Sequence, residues 1–450
     1  MINEKVILLT TRFGDTSEHR LSKYVSDYSG LATRLYHYRY KPLQEIFSKV
    51  IPYDYTKRMA ETGVRGVNEE VIELVRKEHP KYVLWLPAEY EFMESTLDVI
   101  RKEGSIVIGW FVDDEYRFDN YSKWWIPHLD YCITFDIEVV PKYKALGARI
   151  VHVLFCEGIP VDYDWSNIGE KYDISFIGSM RSKPNREQYI NALKNRNIPV
   201  HIFGEGAGRY IPFEGMVGIF GDSKINLNFA GVTGSDRLAI KGRLTEISLA
   251  GGFVLTEYAP GTEKCFEIDK EIVCFRNTEE LLDKVIYYLD HDEERRAIAQ
   301  AGWKRATNEY TPFHMISRIF GEIEEDIAAK DKKDHPHPQE LKMPRLLRNS
   351  HSQYYFRWGR AFLETNYKGL WKDALALALW YNPLNIGARY YYVVGFLPPF
   401  IRPALFKLYK PCAVAEELYT RLRNQLLRWA DSIPYLREMK RSAARRLHYT

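Results

Sequence analysis

The sequence predicts an α/β protein of two successive alternating units, followed by a mainly helical, basic extension. Three observations carry this. Short apolar runs, each bounded by turn residues, recur with helical periodicity between them in two blocks, residues 1–165 and 166–330. The turn-rich stretch EGIPVDYDWSNIGEK (157–171) separates the blocks. Beyond a Pro- and charge-rich linker at 331–345, residues 346–450 change character, becoming basic and aromatic.

In the first block, Val6 to Thr10, Tyr82 to Leu86, Ile106 to Val112 and Tyr131 to Phe135 read as buried strands. Helical patterns at Asn68 to Glu78 and Thr96 to Glu103 lie between them. Such alternation implies a parallel sheet covered on both faces, with ligands bound at the carboxyl ends of the strands. The second block repeats the scheme. Its strands are Asp173 to Ile177, Val200 to Phe203, Lys224 to Phe229, Phe253 to Thr256 and Ile272 to Phe275. Its helices are Asn185 to Arg196, the stretch from Lys241 to Ala250, Thr278 to Leu289 and Glu293 to Asn308. Two such units in series suggest a cleft between them.

Composition agrees with a folded, multidomain chain. The 450 residues exceed what one core usually serves, and 46% are hydrophobic. Five cysteines (132, 156, 265, 274, 412) are scattered without C-x-x-C spacing, which points to a reducing, cytoplasmic compartment and to neither a disulfide framework nor a metal knuckle. The N-terminal MINEKVILLTTRF is too brief for a secretory signal, and no apolar run reaches the ~18 residues of a spanning helix. The net charge of +3 conceals an asymmetry: residues 340–450 hold 19 Lys and Arg against 7 Asp and Glu.

The stretch AIKGRLTEISLAGGFVLTEY (239–258) is the most informative. Leu244, Ile247, Leu249 and Ala250 form an apolar helical face, Gly251 and Gly252 end the helix, and a strand follows. Lys241 and Arg243 then stand at the helix N-terminus, where each cation opposes the macrodipole by ~0.3–1 kcal/mol unless an anion lies between them. A phosphate would resolve that conflict, and Glu246 one turn on could accept from sugar hydroxyls. The plain alternative is a surface cluster paired in solvent.

These residues, with YDISFIGSMRSKPNR (172–186), SKINLNF (223–229), KGRLTEISLAGGFVLTE (241–257) and EIVCFRNTEELLDKVIYYL (271–289), resemble the GT-B glycosyltransferases, most of all the CgeB-type branch. GWFVDDEYRF (109–118) and DYCITFD (130–136) resemble the same branch. The resemblance covers residues 100 to 325. It implies two Rossmann-like domains facing a cleft: a first domain that binds the acceptor and a second that binds a nucleotide-diphosphate sugar. It also implies no cofactor beyond that donor and no bound metal. On this likeness Gly178 and Ser179 match the glycine turn that lets backbone approach the diphosphate. Lys241 and Arg243 would hold the phosphates, and Glu246 the donor ribose. Arg181 is favoured beside the turn, while Lys183 and Arg186 read as a solvated helix start. One departure stands out: many retaining members carry a second glutamate upstream, and its position here is Leu238, with Asp236 or Arg237 as substitutes from the same loop.

Inverting transfer needs a general base near the acceptor hydroxyl. Asp114 and Asp113, at the carboxyl end of a first-block strand, are the leading candidates, followed by His19 and then Glu89 and Glu91; a structural cap is the competing role for each. On an extended segment Asp113 and Asp114 would diverge, which argues against one shared metal ion. His335 and His337 belong to the linker rather than to a metal site.

The extension interleaves Trp, Tyr and Phe with Lys and Arg in QYYFRWGR, LWKDALALALWYNP and GARYYYVVGF, which suits either an anionic membrane surface or an ordinary small core. No nucleic-acid module accompanies its basic end. The leading expectation is a sugar transferase acting on a glycan, lipid-linked glycan or protein, cytoplasmic or peripheral on the membrane's inner face. A nucleotide-sugar epimerase or phosphorylase, or a catalytically silent scaffold on the same fold, is the alternative.

Overall fold

The computed structural model describes residues 2–11, 36–158, 170–180, 184–204, 213–232, 236–329, 345–364 and 369–397, with 211, 341, 399, 401–403 and 406. The first sheet comprises β1 (Ile2–Thr10), β2 (Phe47–Asp54), β3 (Tyr82–Trp85), β4 (Ile106–Trp110), β5 (Tyr131–Thr134) and β6 (Ile150–His152). Their order is β2-β1-β3-β4-β5-β6, and each pair is parallel. Helices α1 (Lys41–Ile46), α2 (Tyr55–Glu78), α3 (Glu94–Lys102), α4 (Asp114–Arg117) and α5 (Val140–Ala145) lie between the strands. Because both faces are covered, the inner strands are continuous apolar runs; all four residues of β3 are fully buried. Asp54 caps α2 by accepting from the Lys57 amide at 3.0 Å.

The second sheet comprises β7 (Tyr172–Ile177), β8 (His201–Phe203), β9 (Ser223–Asn228), β10 (Val254–Glu257) and β11 (Val273–Phe275), ordered β11-β10-β9-β7-β8 and again all parallel. Its helices are α6 (Pro184–Asn195), α7 (Phe213–Gly221), α8 (Arg243–Leu249), α9 (Thr262–Cys265), α10 (Thr278–Asp290), α11 (Asp292–Glu309) and α12 (Pro312–Ala329). Gly251 ends the α8 segment in a left-handed conformation, φ 74°, which a glycine adopts without a Cβ penalty.

α12 packs on the first sheet although it follows the second in the chain. Phe320 makes edge contacts with Phe47 and Tyr82, at ring separations of 4.6 and 5.3 Å. Lys81 pairs with Glu324 at 2.9 Å, and the Tyr131 hydroxyl donates to Asp326 at 2.6 Å. One apolar cluster consequently runs from Leu8 and Trp110 through Phe320 to Leu244 and Ile247. Residues 1–347 form one compact unit, and residues 348–450 form another.

The second unit contains α13 (Arg345–Glu364), α14 (Trp371–Tyr381) and α15 (Ile386–Val394). Tyr355, Phe362, Trp371, Leu375 and Tyr391 are buried in it, and Asn385 caps α15 by accepting from the Ala388 amide at 2.9 Å. Among the described residues no helix is long and apolar enough to cross a membrane. The linker at 331–345 and the tail from 407 fall almost wholly outside the described residues.

Candidate active site

The carboxyl ends of the two sheets meet. Lys241, just before α8, pairs with Glu115 of α4 at 2.6 Å. Arg237 donates to both carboxylate oxygens of Asp136, each at 3.0 Å, and pairs with Glu138 at 2.7 Å. The Thr245 hydroxyl donates to the Phe155 carbonyl at 3.1 Å. Residues after β4, β5 and β6 on one side, and those between β9 and β10 on the other, therefore share one interface.

On the first side, Asp113 adopts a left-handed conformation (φ 61°) and ends the strand in a turn, so the extended segment expected there is replaced by the start of α4. Asp113 is exposed and accepts from the Tyr116 hydroxyl at 3.0 Å. Asp114, by contrast, is only 2% exposed. Its carboxylate accepts from the hydroxyls of Ser122, Thr134 (2.7 Å) and Tyr143 (2.9 Å). Burial pushes its pKa up to about 6, against the pull of those three donors. Three hydroxyl donors and almost no exposure make Asp114 an anchor that fixes α4, and hence Glu115 and Asp113, to the sheet. His19 lies outside the described residues.

Glu91, in the loop after β3, is a second buried carboxylate. One oxygen accepts from the amides of Ala88 (2.8 Å) and Glu89 (2.5 Å), while the other has no hydrogen-bond partner among the described residues. Burial raises its pKa to about 7.

On the second side, the Gly178 amide donates to the Phe203 carbonyl at 3.1 Å, and a Cβ at Gly178 would come within 2.8 Å of the Phe176 ring. The Ser179 carbonyl accepts from Arg186 at 2.6 Å. Arg181 and Lys183 lie outside the described residues. Arg186 is not the solvated helix start its sequence suggested: it is 9% exposed, with its guanidinium 5.4 Å from the Phe176 ring. Its Nε has no partner among the described residues. Burial, and then the neighbouring Arg243, lower its pKa to about 10. No local pattern marks this residue, because Phe176 and Arg243 reach it from distant parts of the chain.

The cations around α8 are paired, but in the cleft rather than in solvent. Arg243 pairs with the buried Glu246 and lies 2.9 Å from the Met216 sulfur. Lys241 is held by Glu115 across the interface. Glu257, at the end of β10, is buried, accepting from the Tyr189 hydroxyl at 3.1 Å and the Ala230 amide at 2.9 Å. Leu238 forms a bridge with Gly231, so its position offers the interface backbone but no polar side chain. Arg237 is committed to first-sheet carboxylates, and Asp236 is exposed.

Two parallel-stranded units joined at their carboxyl ends, with a cationic cluster on the second, define the GT-B architecture. Residues 181–321 match the sequence profile of a family described as glycosyl transferase-like. Among solved structures it is similar to Anabaena HepE in complex with UDP-glucose, at 10% identity and a TM-score of 0.47 over 72% of this chain and 100% of that one. Sucrose-phosphate synthase from Thermosynechococcus elongatus is similar at 10% identity and 0.45, again over 72% and 100%. An α1,3-fucosyltransferase is similar at 13% identity and 0.44, over 74% and 93%. Nothing among curated proteins matches the chain significantly.

Proposed function

We propose that the chain transfers a sugar from a nucleoside diphosphate sugar to a glycan, lipid-linked glycan or protein, without a bound metal. The observation that supports donor binding best is the buried Arg186. A guanidinium beside a second cation, with one N–H that finds no acceptor among the described residues, is a poor resting arrangement and a good one around a diphosphate. Gly178 keeps side-chain bulk away from that place, and Arg243 approaches it from α8. Glu246, paired with Arg243, is our candidate to accept from ribose hydroxyls.

In this reading Lys241 exchanges Glu115 for the donor phosphates. The acceptor oxygen attacks the anomeric carbon, the bond to the diphosphate oxygen breaks, and the guanidinium and ammonium groups offset the charge that develops there. The acceptor proton passes to a carboxylate after β4. Asp113 is our candidate because it is the exposed member of the pair, and Asp114 positions it; His19 remains a candidate from the segment before α1. The buried free thiols Cys132, Cys156 and Cys274 support a cytoplasmic location. Incubating the protein with a panel of nucleotide sugars tests the reading. Donor consumption that requires an acceptor supports transfer; consumption without acceptor supports an epimerase or hydrolase, and none with any donor supports a silent binding protein.

A further inference from the structure

The second compact unit carries an apolar surface unlike anything described on the first. Trp380, Leu384, Ile386, Val393 and Phe396 are each between 62% and 76% exposed, whereas no large apolar side chain described in residues 2–329 exceeds 56%. Helix α15 shows why. Gly387, Ala388, Tyr391 and Val394 fill its buried face, and Ile386, Arg389 and Val393, at positions i, i+3 and i+7, form a second stripe that faces outward. Leu384 in the turn before α15 and Phe396 just after it extend that stripe beyond both ends of the helix. A helix apolar on two faces needs something to cover the second.

Charge indicates what. The apolar stripe carries Arg389, whose guanidinium donates to the Pro383 carbonyl beside Leu384, while Lys372 lies 5.8 Å from the Phe396 ring. Glu364 is turned inward, accepting from Arg360 and from the Tyr391 hydroxyl at 2.8 Å each. The whole segment from 340 onward holds 19 basic residues against 7 acidic. Exposed Trp, Phe, Leu and Ile interleaved with cations match a bilayer interface bearing anionic headgroups. We infer that the α14–α15 turn and the outer face of α15 dock the protein on an anionic membrane surface, with the apolar side chains entering the acyl boundary and Arg389 and Lys372 meeting the headgroups.

This inference rests on the second unit alone and stands or falls independently of the donor site. Its test is flotation of the full-length protein with vesicles of phosphatidylcholine alone, and of phosphatidylcholine mixed with phosphatidylglycerol. The full chain is expected to float with the mixed vesicles and to remain behind with the neutral ones. Ile386→Asp with Val393→Asp should abolish flotation while the circular dichroism spectrum and thermal midpoint stay as in the parent. Arg389→Glu should weaken binding about fivefold or more, the equivalent of ~1 kcal/mol per cation near such a surface. Failure to float with anionic vesicles, or unchanged flotation of the folded double variant, overturns the inference. So does resistance of Val393→Cys to a maleimide in the vesicle-free protein, because the stripe would then be covered by the chain itself, residues 407–450 being the segment available.

Discussion

The two sheets end in opposite electrostatic situations. After β3 and β4, the first sheet buries carboxylates: Asp114 among three hydroxyls, Glu91 on two backbone amides. After β7 and around α8, the second sheet gathers cations: Arg186 shares its surroundings with Arg243, and Lys241 is held by Glu115 from the opposite side. The difference teaches where function resides. A carboxylate supplied with three hydroxyl donors, as Asp114 is, stabilises a turn and has little capacity left for a ligand. A buried guanidinium with an N–H that no described residue accepts is suited to an arriving anion. Substitutions at the first end should therefore act mainly on stability, and those at the second mainly on binding.

The largest effect is expected from Asp114→Ala. It leaves the hydroxyls of Ser122, Thr134 and Tyr143 without their acceptor in a buried site, which should lower stability by roughly 3–5 kcal/mol. Chemical denaturation checks this, and donor affinity of the folded fraction should be unchanged.

Arg186→Met is the converse. It removes the guanidinium proposed to meet the diphosphate while an unbranched apolar side chain still fills the buried place beside Phe176, so the donor dissociation constant should rise about 100-fold, or ~2.7 kcal/mol, with stability altered by less than ~1 kcal/mol. Isothermal calorimetry and thermal unfolding on the same samples separate the two terms.

Glu91→Gln sharpens the comparison through pH. With a folded pKa near 7, the native state holds a proton that the unfolded chain releases near 4.5. Stability from this group is thus fully present below about 4.5 and is lost as pH rises to about 7. The amide keeps the acceptor for Ala88 and Glu89 and cannot ionise. The variant should therefore be roughly 2–3 kcal/mol more stable than the parent at pH 8, and the difference should shrink toward pH 5. Unfolding midpoints measured across that range check the sign.

The smallest effect belongs to the pair that joins the two ends. Glu115→Gln frees Lys241 from its resting partner, at a cost to stability of about 1 kcal/mol or less for a partly exposed pair. Donor affinity should rise two- to fivefold, because the phosphates no longer compete for the ammonium. A donor titration at low and high salt should show this gain diminishing as ionic strength rises.

Much of the first compact unit was legible because its strands are apolar runs between helical patterns. Four strands of the first sheet and all five of the second lie where the sequence placed them, to within two residues at each end except that β1 begins four residues earlier, at Ile2. β2 escaped because FSKVIPYD mixes charge with Pro52, which an edge strand tolerates and a central one does not. β6 escaped because it has three residues. The return of α12 to the first sheet depends on Phe320 meeting Phe47 and Tyr82, contacts that no local pattern encodes.

The same division applies to the site. The charges at 241, 243 and 246 could be read directly, but their counter-ions could not: Glu115 lies 126 residues from Lys241. Asp114 was legible as a carboxylate at a strand end, yet its saturation depends on Ser122, Thr134 and Tyr143 from later elements. Arg186 looked solvated because only the folded chain brings Phe176 and Arg243 over it.

The central claim is that the anion-binding end is the second sheet and that Arg186 is its core. Calorimetric titration of a nucleoside diphosphate into the parent, Arg186→Met and Asp114→Asn proteins tests it most directly. The account predicts unchanged affinity for Asp114→Asn and about a 100-fold loss for Arg186→Met at equal folding. Equal affinity in the parent and Arg186→Met would contradict it.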